Sequence, residues 1–380
     1  MTFTPRQSIR AGLDHLESRL DPIIATRLAD HLNGLPWTTI LVELDKARGK
    51  PPRHYNTSDI QPQLRMLTER LGRLGFPFDD GVQPARLVST LGNELRIVRN
   101  SEKHNDDLTA IDAWRAHDTC VRLLEHFGDT PGAKAAEEMR HAAMAAVVAE
   151  SGIDIGSLTS RVDGTAEVPA HGSRAADSDM EQDPDAEPEL VEPDESVLER
   201  EPTDETPLIG HQRMSFEPWI PVDVGNVDVL DHIARKANKE KVRAVAQEIV
   251  EYEGPIHLDR LAQLIAASFG VQKLHAKRQQ KITYQVKQMG LQIDGEKFVW
   301  PADIDPENWT EFRPNTSEVR RDFVHVSPVE IANAMRFLRR RMPSLNGGEL
   351  QGAVLRTFGR KRLTKKFAAH LAKASALVNR

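Results

Sequence analysis

Apolar positions recur every three to four residues through most of the first 150 residues, a period that predicts helices. Pro5 to about Leu32 puts Ile9, Leu13, Leu16, Leu20, Ile23 and Ile24 on one side. A second helix is expected from Trp37 to about Ala47, and a third after the cap Ser58, with Leu64, Leu67 and Leu71 inward. From about Gln83, Leu87, Leu91, Leu95 and Val98 form a fourth stripe. Thr109, with Asp112 three residues on, reads as the N-cap of a fifth helix burying Ile111, Trp114, Val121, Leu124 and Phe127. An alanine-rich sixth runs from Lys134 to about Ala149. Residues 1–150 are therefore predicted to form an antiparallel helical bundle.

The pattern resumes near Pro218 and then repeats. Leu261 to Phe269-Gly270 aligns with Leu350 to Phe358-Gly359, and Leu274, Lys277 and Ile282 align with Leu363, Lys366 and Leu371. In the first unit, residues 218–310, helices are expected around Val242, Val245 and Ile249, around Leu261, Leu264, Ile265 and Phe269, and from about Leu274 to Met289. Leu291 to Trp300 alternates about Asp294-Gly295, a hairpin signal, so this unit reads as a winged helix. The second unit, residues 311–380, opens on Ser327-Pro328-Val329-Glu330, read as a capping box with proline at N1. It buries Ile331, Met335, Leu338 and Met342, ends in a helix from about Lys361, and resembles a helix-turn-helix without a wing. The fold class is mainly α, with one small β-hairpin.

Charge changes the picture of the whole chain. The net −7 conceals three regimes. Arg161 to Gly210 carries 16 Asp and Glu against three Arg, and prolines 184, 188, 193 and 202 punctuate it. Residues 151–217 are therefore expected to be a disordered, self-repelling linker. Pro218 to Arg380 has 27 Lys and Arg against 18 Asp and Glu, whereas residues 1–160 have 19 against 22. The third helices of the two C-terminal units concentrate the basic charge and are the candidate nucleic-acid contacts. In the first unit these are Lys273, Lys277, Arg278, Lys281 and Lys287, with Tyr284 nearby; in the second, Arg360, Lys361, Arg362, Lys365 and Lys366. Lysine-rich solvent faces are also common on helices that bind only protein. Cys120 is the single cysteine, which excludes an internal disulfide and a thiolate-rich zinc site. Neither an apolar leader near Met1 nor a membrane-length apolar run is visible, the longest being Ala142 to Ala149, so a cytoplasmic location is expected.

The chemistry-bearing candidates in the first domain are Arg99, Asn100 and His104, at the end of the fourth helix. Guanidinium grips phosphate oxygens through a planar fork, and imidazole moves protons near neutral pH. On a continuous helix His104 lies roughly 140° from Arg99. One active site then requires the helix to end near Lys103, or a second copy of the motif across a two-fold axis. Cations at a helix C-terminus, complementing its dipole, are the plainer explanation of the same residues.

Residues 1 to about 128 resemble the HEPN superfamily in its Swt-one-like branch. The resemblance is carried by Gly34-Leu35-Pro36-Trp37, Asp59-Ile60-Gln61-Pro62-Gln63-Leu64, Leu91-Gly92-Asn93-Glu94-Leu95-Arg96-Ile97-Val98-Arg99-Asn100, His104-Asn105, Ala113-Trp114-Arg115-Ala116 and Leu123-Leu124. It implies a paired helical bundle and, in active members, a metal-independent endoribonuclease without cofactor. His104 would then be the general acid–base for 2′-hydroxyl attack, Arg99 would stabilise the phosphate and Asn100 would orient the pair. The chain departs from the branch in Glu102-Lys103, where a small or aromatic apolar residue often precedes the histidine.

Residues from about 225 to 377 resemble the uncharacterised domain that closes many bacterial superfamily-one helicases. Glu253-Gly254-Pro255-Ile256-His257, Phe269-Gly270, Phe298-Val299-Trp300-Pro301 and Ser327-Pro328-Val329-Glu330 carry that likeness. No phosphate-binding loop ending in Lys-Ser or Lys-Thr occurs, so ATP hydrolysis is not expected. Two functions fit. One is a nucleic-acid-associated HEPN endoribonuclease, homodimeric through its first domain, serving bacterial defence or RNA quality control. The other is a non-catalytic dimeric adaptor that binds RNA, DNA, a helicase or another defence-system protein.

Overall fold

A computed structural model describes residues 3–79, 86–103, 107–151, 191–200, 206–316 and 321–378. The chain is mainly helical, with one two-stranded antiparallel sheet.

Among the described residues, the first domain is built of six helices: α1 (Pro5–Leu32), α2 (Thr38–Ala47), α3 (Ile60–Thr68), α4 (Leu87–Lys103), α5 (Ala110–His126) and α6 (Thr130–Ser151). The sequence period places Leu16, Leu20, Ile24, Leu64, Leu91, Leu95 and Leu124 in one apolar core. Local chemistry sets the starts. Thr109 and Asp112 form the reciprocal capping box at α5. At α3 the cap is Asp59 rather than Ser58: its carboxylate accepts from the Gln61 N–H at 2.9 Å. Ile111, expected inside, is 40% exposed, because α5 buries the stripe through Ala113, Ala116, Cys120 and Leu124. Gly92 lets α3 and α4 approach, since a Cβ there would lie 2.6 Å from Thr68 Cγ2.

Most of the expected linker lies outside the described residues. Two stretches near its C-terminal end do not: residues 191–200, with α7 (Glu195–Leu198), and 206–217 are packed. Val197, Leu208, Ile209 and Phe216 are buried, and the Glu43 carboxylate accepts from the N–H groups of Leu208 and Ile209, each at 3.0 Å. Four apolar side chains in an acidic region suffice to dock these short stretches.

The C-terminal half contains α8 (Val227–Asp231), α9 (Lys236–Glu253), β1 (Ile256–His257), α10 (Leu258–Ala267), α11 (Ala276–Lys287) and β2 (Phe298–Val299), then α12 (Pro328–Arg341), α13 (Gly347–Thr357) and α14 (Lys365–Val378). β1 pairs antiparallel with β2, and Ile293 bridges to Val299 across the Asp294-Gly295 turn. Asp294 holds that turn by accepting from Glu296 N, Phe298 N and Trp300 Nε1. The repeat is structural: Phe269 and Phe358 are both fully buried, and each is followed by a glycine with positive φ, 76° at Gly270 and 72° at Gly359. The expected box at Ser327 is only half formed. Ser327 accepts from Val329 N, but Glu330 is buried and turned toward Arg313 and Arg321, at 2.9 Å and 3.2 Å. A fully buried carboxylate gains more from two guanidiniums than from one backbone N–H.

The two halves meet along α4 and α9. Ile97 of α4 belongs to the apolar core of the C-terminal half, beside Val242, Val245 and Trp219. Farther along, Lys50 pairs with Asp303 at 3.1 Å, Arg70 with Glu217 at 2.9 Å, and Trp309 Nε1 donates to the Arg48 carbonyl at 2.8 Å.

Candidate functional site

The last two turns of α4 position the motif at the seam between the halves. Arg99 is half-buried and directs Nη2 to Gln61 Oε1 at 2.7 Å and Nη1 to Asn100 Oδ1 at 3.2 Å. Its buried Nε has no hydrogen-bond partner among the described residues. Burial lowers the Arg99 pKa, against the opposing pull of Asp59 and Glu251. Asn100 is only 3% exposed, and its amide donates to Glu248 Oε2 of α9 at 3.4 Å. α4 ends at Lys103, and His104 lies outside the described residues. Glu102, which departs from the family pattern, is buried: it pairs with Arg10 at 3.6 Å, and its carbonyl accepts from Arg6 at 2.6 Å.

A buried chain of charge underlies the motif. Asp45 and Glu69 flank Arg65 at 2.9 Å and 2.8 Å, and Arg48 reaches Glu69 at 2.7 Å. Arg96, 5% exposed, continues the chain to Glu248 at 2.6 Å and donates to Thr68 Oγ1 at 3.0 Å. Glu251 stands 3.9 Å from the other side of Arg96. Burial alone would raise the pKa of Glu69, but Arg65 and Arg48 hold it well below the usual carboxylate range. Arg96 is the main group opposing the burial of Glu248, which is pushed up to about 7. These partners of the motif were not singled out from sequence. The available signals were charges on inward stripes: Arg65 on α3 and Glu69 just past its end, Arg96 among Leu95 and Ile97, and Glu248 beside Val245 and Ile249.

The basic residues divide by exposure. Lys273, Lys277 and Lys287 are exposed on and before α11, Lys281 is half-buried, and none of the four makes an ion pair among the described residues. Tyr284, on the same helix, is 58% exposed. Arg278 is instead drawn to Asp231, with paired hydrogen bonds of 2.9 Å and 3.1 Å. In the second unit Lys361, Arg362, Lys365 and Lys366 are exposed, Lys366 at 3.5 Å from Asp322. Arg360 is not at the surface: it is half-buried against Phe367 and donates to the Arg321 carbonyl at 3.0 Å. No group of residues suited to holding a metal ion occurs among the described residues, and no described helix is long and apolar enough to cross a membrane.

Residues 11–128 match the family model described as Swt1-like HEPN. Residues 231–280, which span α9 to α11, match one described as a protein of unknown function, DUF3320. Comparisons with curated proteins and with solved structures returned no match.

Proposed function

We propose that the chain is a nucleic-acid-binding HEPN protein, with a metal-independent endoribonuclease site at the end of α4. The observation that carries this reading is the Arg99–Asn100 pair: within the HEPN-matching segment, Asn100 fixes one guanidinium nitrogen and Gln61 another, leaving Nε without an acceptor. An arginine so oriented suits the non-bridging oxygens of a phosphodiester.

In the proposed reaction the ribose 2′-oxygen attacks phosphorus and gives its proton to His104. The bond to the 5′-oxygen breaks, and that oxygen takes up a proton. The products are a 2′,3′-cyclic phosphate and a 5′-hydroxyl, with no redox change. A homodimer would bring two motifs together. The order helix–strand–helix–helix–hairpin from α9 to β2 supports a winged-helix reading, in which α11 meets nucleic acid through Lys273, Lys277, Lys287 and Tyr284. The second unit would add Lys361, Arg362, Lys365 and Lys366.

One observation favours the adaptor instead: Asn100 is buried beneath α9 in the single chain. Incubating labelled single-stranded RNA with the full chain in excess EDTA decides between them. Cleavage that Arg99→Ala abolishes supports the nuclease; binding without cleavage, in both proteins, supports the adaptor.

A further inference from the structure

We propose that α9 is a built-in phosphate mimic: its Glu248 and Glu251 carboxylates occupy the face of α4 that a nucleic-acid backbone takes when α9 withdraws. This rests on the nuclease reading for the location of the site, but it concerns binding and can be tested without cleavage.

The charge pattern identifies the occupant. Arg96 and Arg99 are presented from one helix, and the counter-charges facing them across the seam are two carboxylates of α9. Remove α9, and the face keeps two guanidiniums, the Asn100 side-chain nitrogen and the unpartnered Arg99 Nε as donors, with Glu69 the one carboxylate left within 4 Å of Arg96 among the described residues. A donor-rich face around two cations fits an anion rather than an apolar ligand. Glu248 is also an imperfect resident. It is 1% exposed yet shares its cation, Arg96, with Glu69. A phosphodiester keeps its charge at every physiological pH and would replace it.

The seam has the character of one that opens. Its contacts at the rim are ion pairs, Lys241–Asp112 at 2.8 Å and Lys236–Asp107 at 3.9 Å. Beside them lies a cavity of about 70 Å³ whose walls are mostly apolar, Ile97, Val98 and Val245 among them, with Asp112, Thr119 and Lys241 on its polar side. Of the remaining joints, Lys50–Asp303 and Arg70–Glu217 are ion pairs and Trp309 donates to the Arg48 carbonyl. Ile97 anchors the seam, but the share of ion pairs among its contacts is that of transient interfaces rather than permanent ones.

The experiment measures binding of a fluorescent, uncleavable 2′-O-methyl oligoribonucleotide to the full chain. Lys241→Asp breaks the rim pair while making the protein more negative, so a simple surface effect would weaken binding. The proposal expects affinity to rise about two- to fivefold, the scale of one partly exposed pair. Lys241→Arg, which keeps the pair with Asp112, should leave affinity at the starting value. Adding Arg99→Ala to Lys241→Asp removes the gain but leaves the binding that exposed lysines provide. Zero-length carbodiimide cross-linking of Lys241 to Asp112 in the wild type reports the closed seam, and the oligonucleotide should suppress it. Weaker binding by Lys241→Asp, a gain that survives Arg99→Ala, or a cross-link indifferent to the oligonucleotide would each overturn the proposal. Glu251→Gln, which removes the other carboxylate's charge while keeping its shape, provides a second variant with the same expected gain. A gain in binding with no cleavage of ordinary RNA would sink the nuclease reading and leave the cover standing.

Discussion

Asn100 donates its side-chain amide to Glu248, a residue 148 positions later, so that the polar member of the α4 motif is satisfied by the other half of the chain. Arg96, four residues earlier, reaches the same carboxylate at 2.6 Å. The stability of the seam should therefore depend on Arg96 far more than its place in a surface-charged protein suggests. Arg96→Ala leaves Glu248 buried without its cation and should destabilise the protein by about 3–5 kcal/mol. Replacing both partners with apolar residues, Arg96→Met with Glu248→Leu, should cost much less. Urea unfolding of the two variants checks the contrast; equal losses would show that the pair itself carries the stability.

The same carboxylate predicts a pH dependence. Burial raises the Glu248 pKa from 4.5 to about 7. A group with a raised folded-state pKa contributes stability that is complete below 4.5 and is lost as pH rises through 7. Seam stability should thus decline between those values, and Glu248→Gln should flatten the decline. The measurement is the Lys241–Asp112 cross-linking yield or the urea midpoint against pH. An unchanged slope in Glu248→Gln would assign the titration to another group.

The legible parts of this fold are those fixed by near neighbours. The Thr109–Asp112 box, the two Phe-Gly ends and the Asp294-Gly295 turn each rest on residues within a few positions, and each stands where the sequence predicts it. Other features depend on partners far along the chain. Ser327 and Glu330 have the spacing of a box, yet Arg313 and Arg321 capture the glutamate. Arg360 reads as one more basic surface residue until the Arg321 carbonyl is found beside it. Glu248 reads as an ordinary helix charge, because nothing within α9 announces that α4 will cover it. Composition could show that the linker is acidic, but not that Leu208, Ile209 and Phe216 would dock its end.

A second titration involves histidines. His257 and His325 stack with ring centroids 4.9 Å apart, joining the start of α10 to the turn before α12. Burial lowers both pKa values, that of His325 to about 4, with His257 adding repulsion in the charged state. The sign is opposite to that of Glu248: the neutral pair's contribution is complete above 6.5 and is lost as pH falls toward 4. In a Glu248→Gln background, which removes the opposing titration, the urea midpoint should fall between pH 7 and pH 5, and His325→Phe should shrink the fall. His370, Asp259, Lys297, Asp322 and Arg260 also face this pair, so His370→Phe is the control that should leave most of it.

Exposure, rather than charge alone, should decide which basic residues matter for binding. Lys273, Lys277 and Lys287 are exposed, whereas Arg278 is held by Asp231. Changing the three lysines to glutamate should weaken binding to a duplex and reduce the slope of log affinity against log salt by roughly 0.9 for each phosphate no longer neutralised. Arg278→Ala should alter that slope less than any single lysine change. A larger effect from Arg278 would mean that it leaves Asp231 for the nucleic acid.

The nuclease reading makes its most exposed prediction at His104. If this residue moves the proton from the 2′-hydroxyl, His104→Ala should lower RNA cleavage by about 10²–10⁴-fold, the usual loss for a positioned acid–base. Affinity for the uncleavable oligonucleotide should be unchanged, since binding is assigned to Arg99 and the lysines. Products should end in a 2′,3′-cyclic phosphate and should still form in excess EDTA. Gln61→Ala gives an independent check, because Gln61 accepts from Arg99 at 2.7 Å and serves only to aim it. It should reduce the rate less than Arg99→Ala while leaving the pH profile of cleavage in place. Cleavage that requires a metal and survives His104→Ala would move the chemistry away from α4 and leave the motif with a binding role.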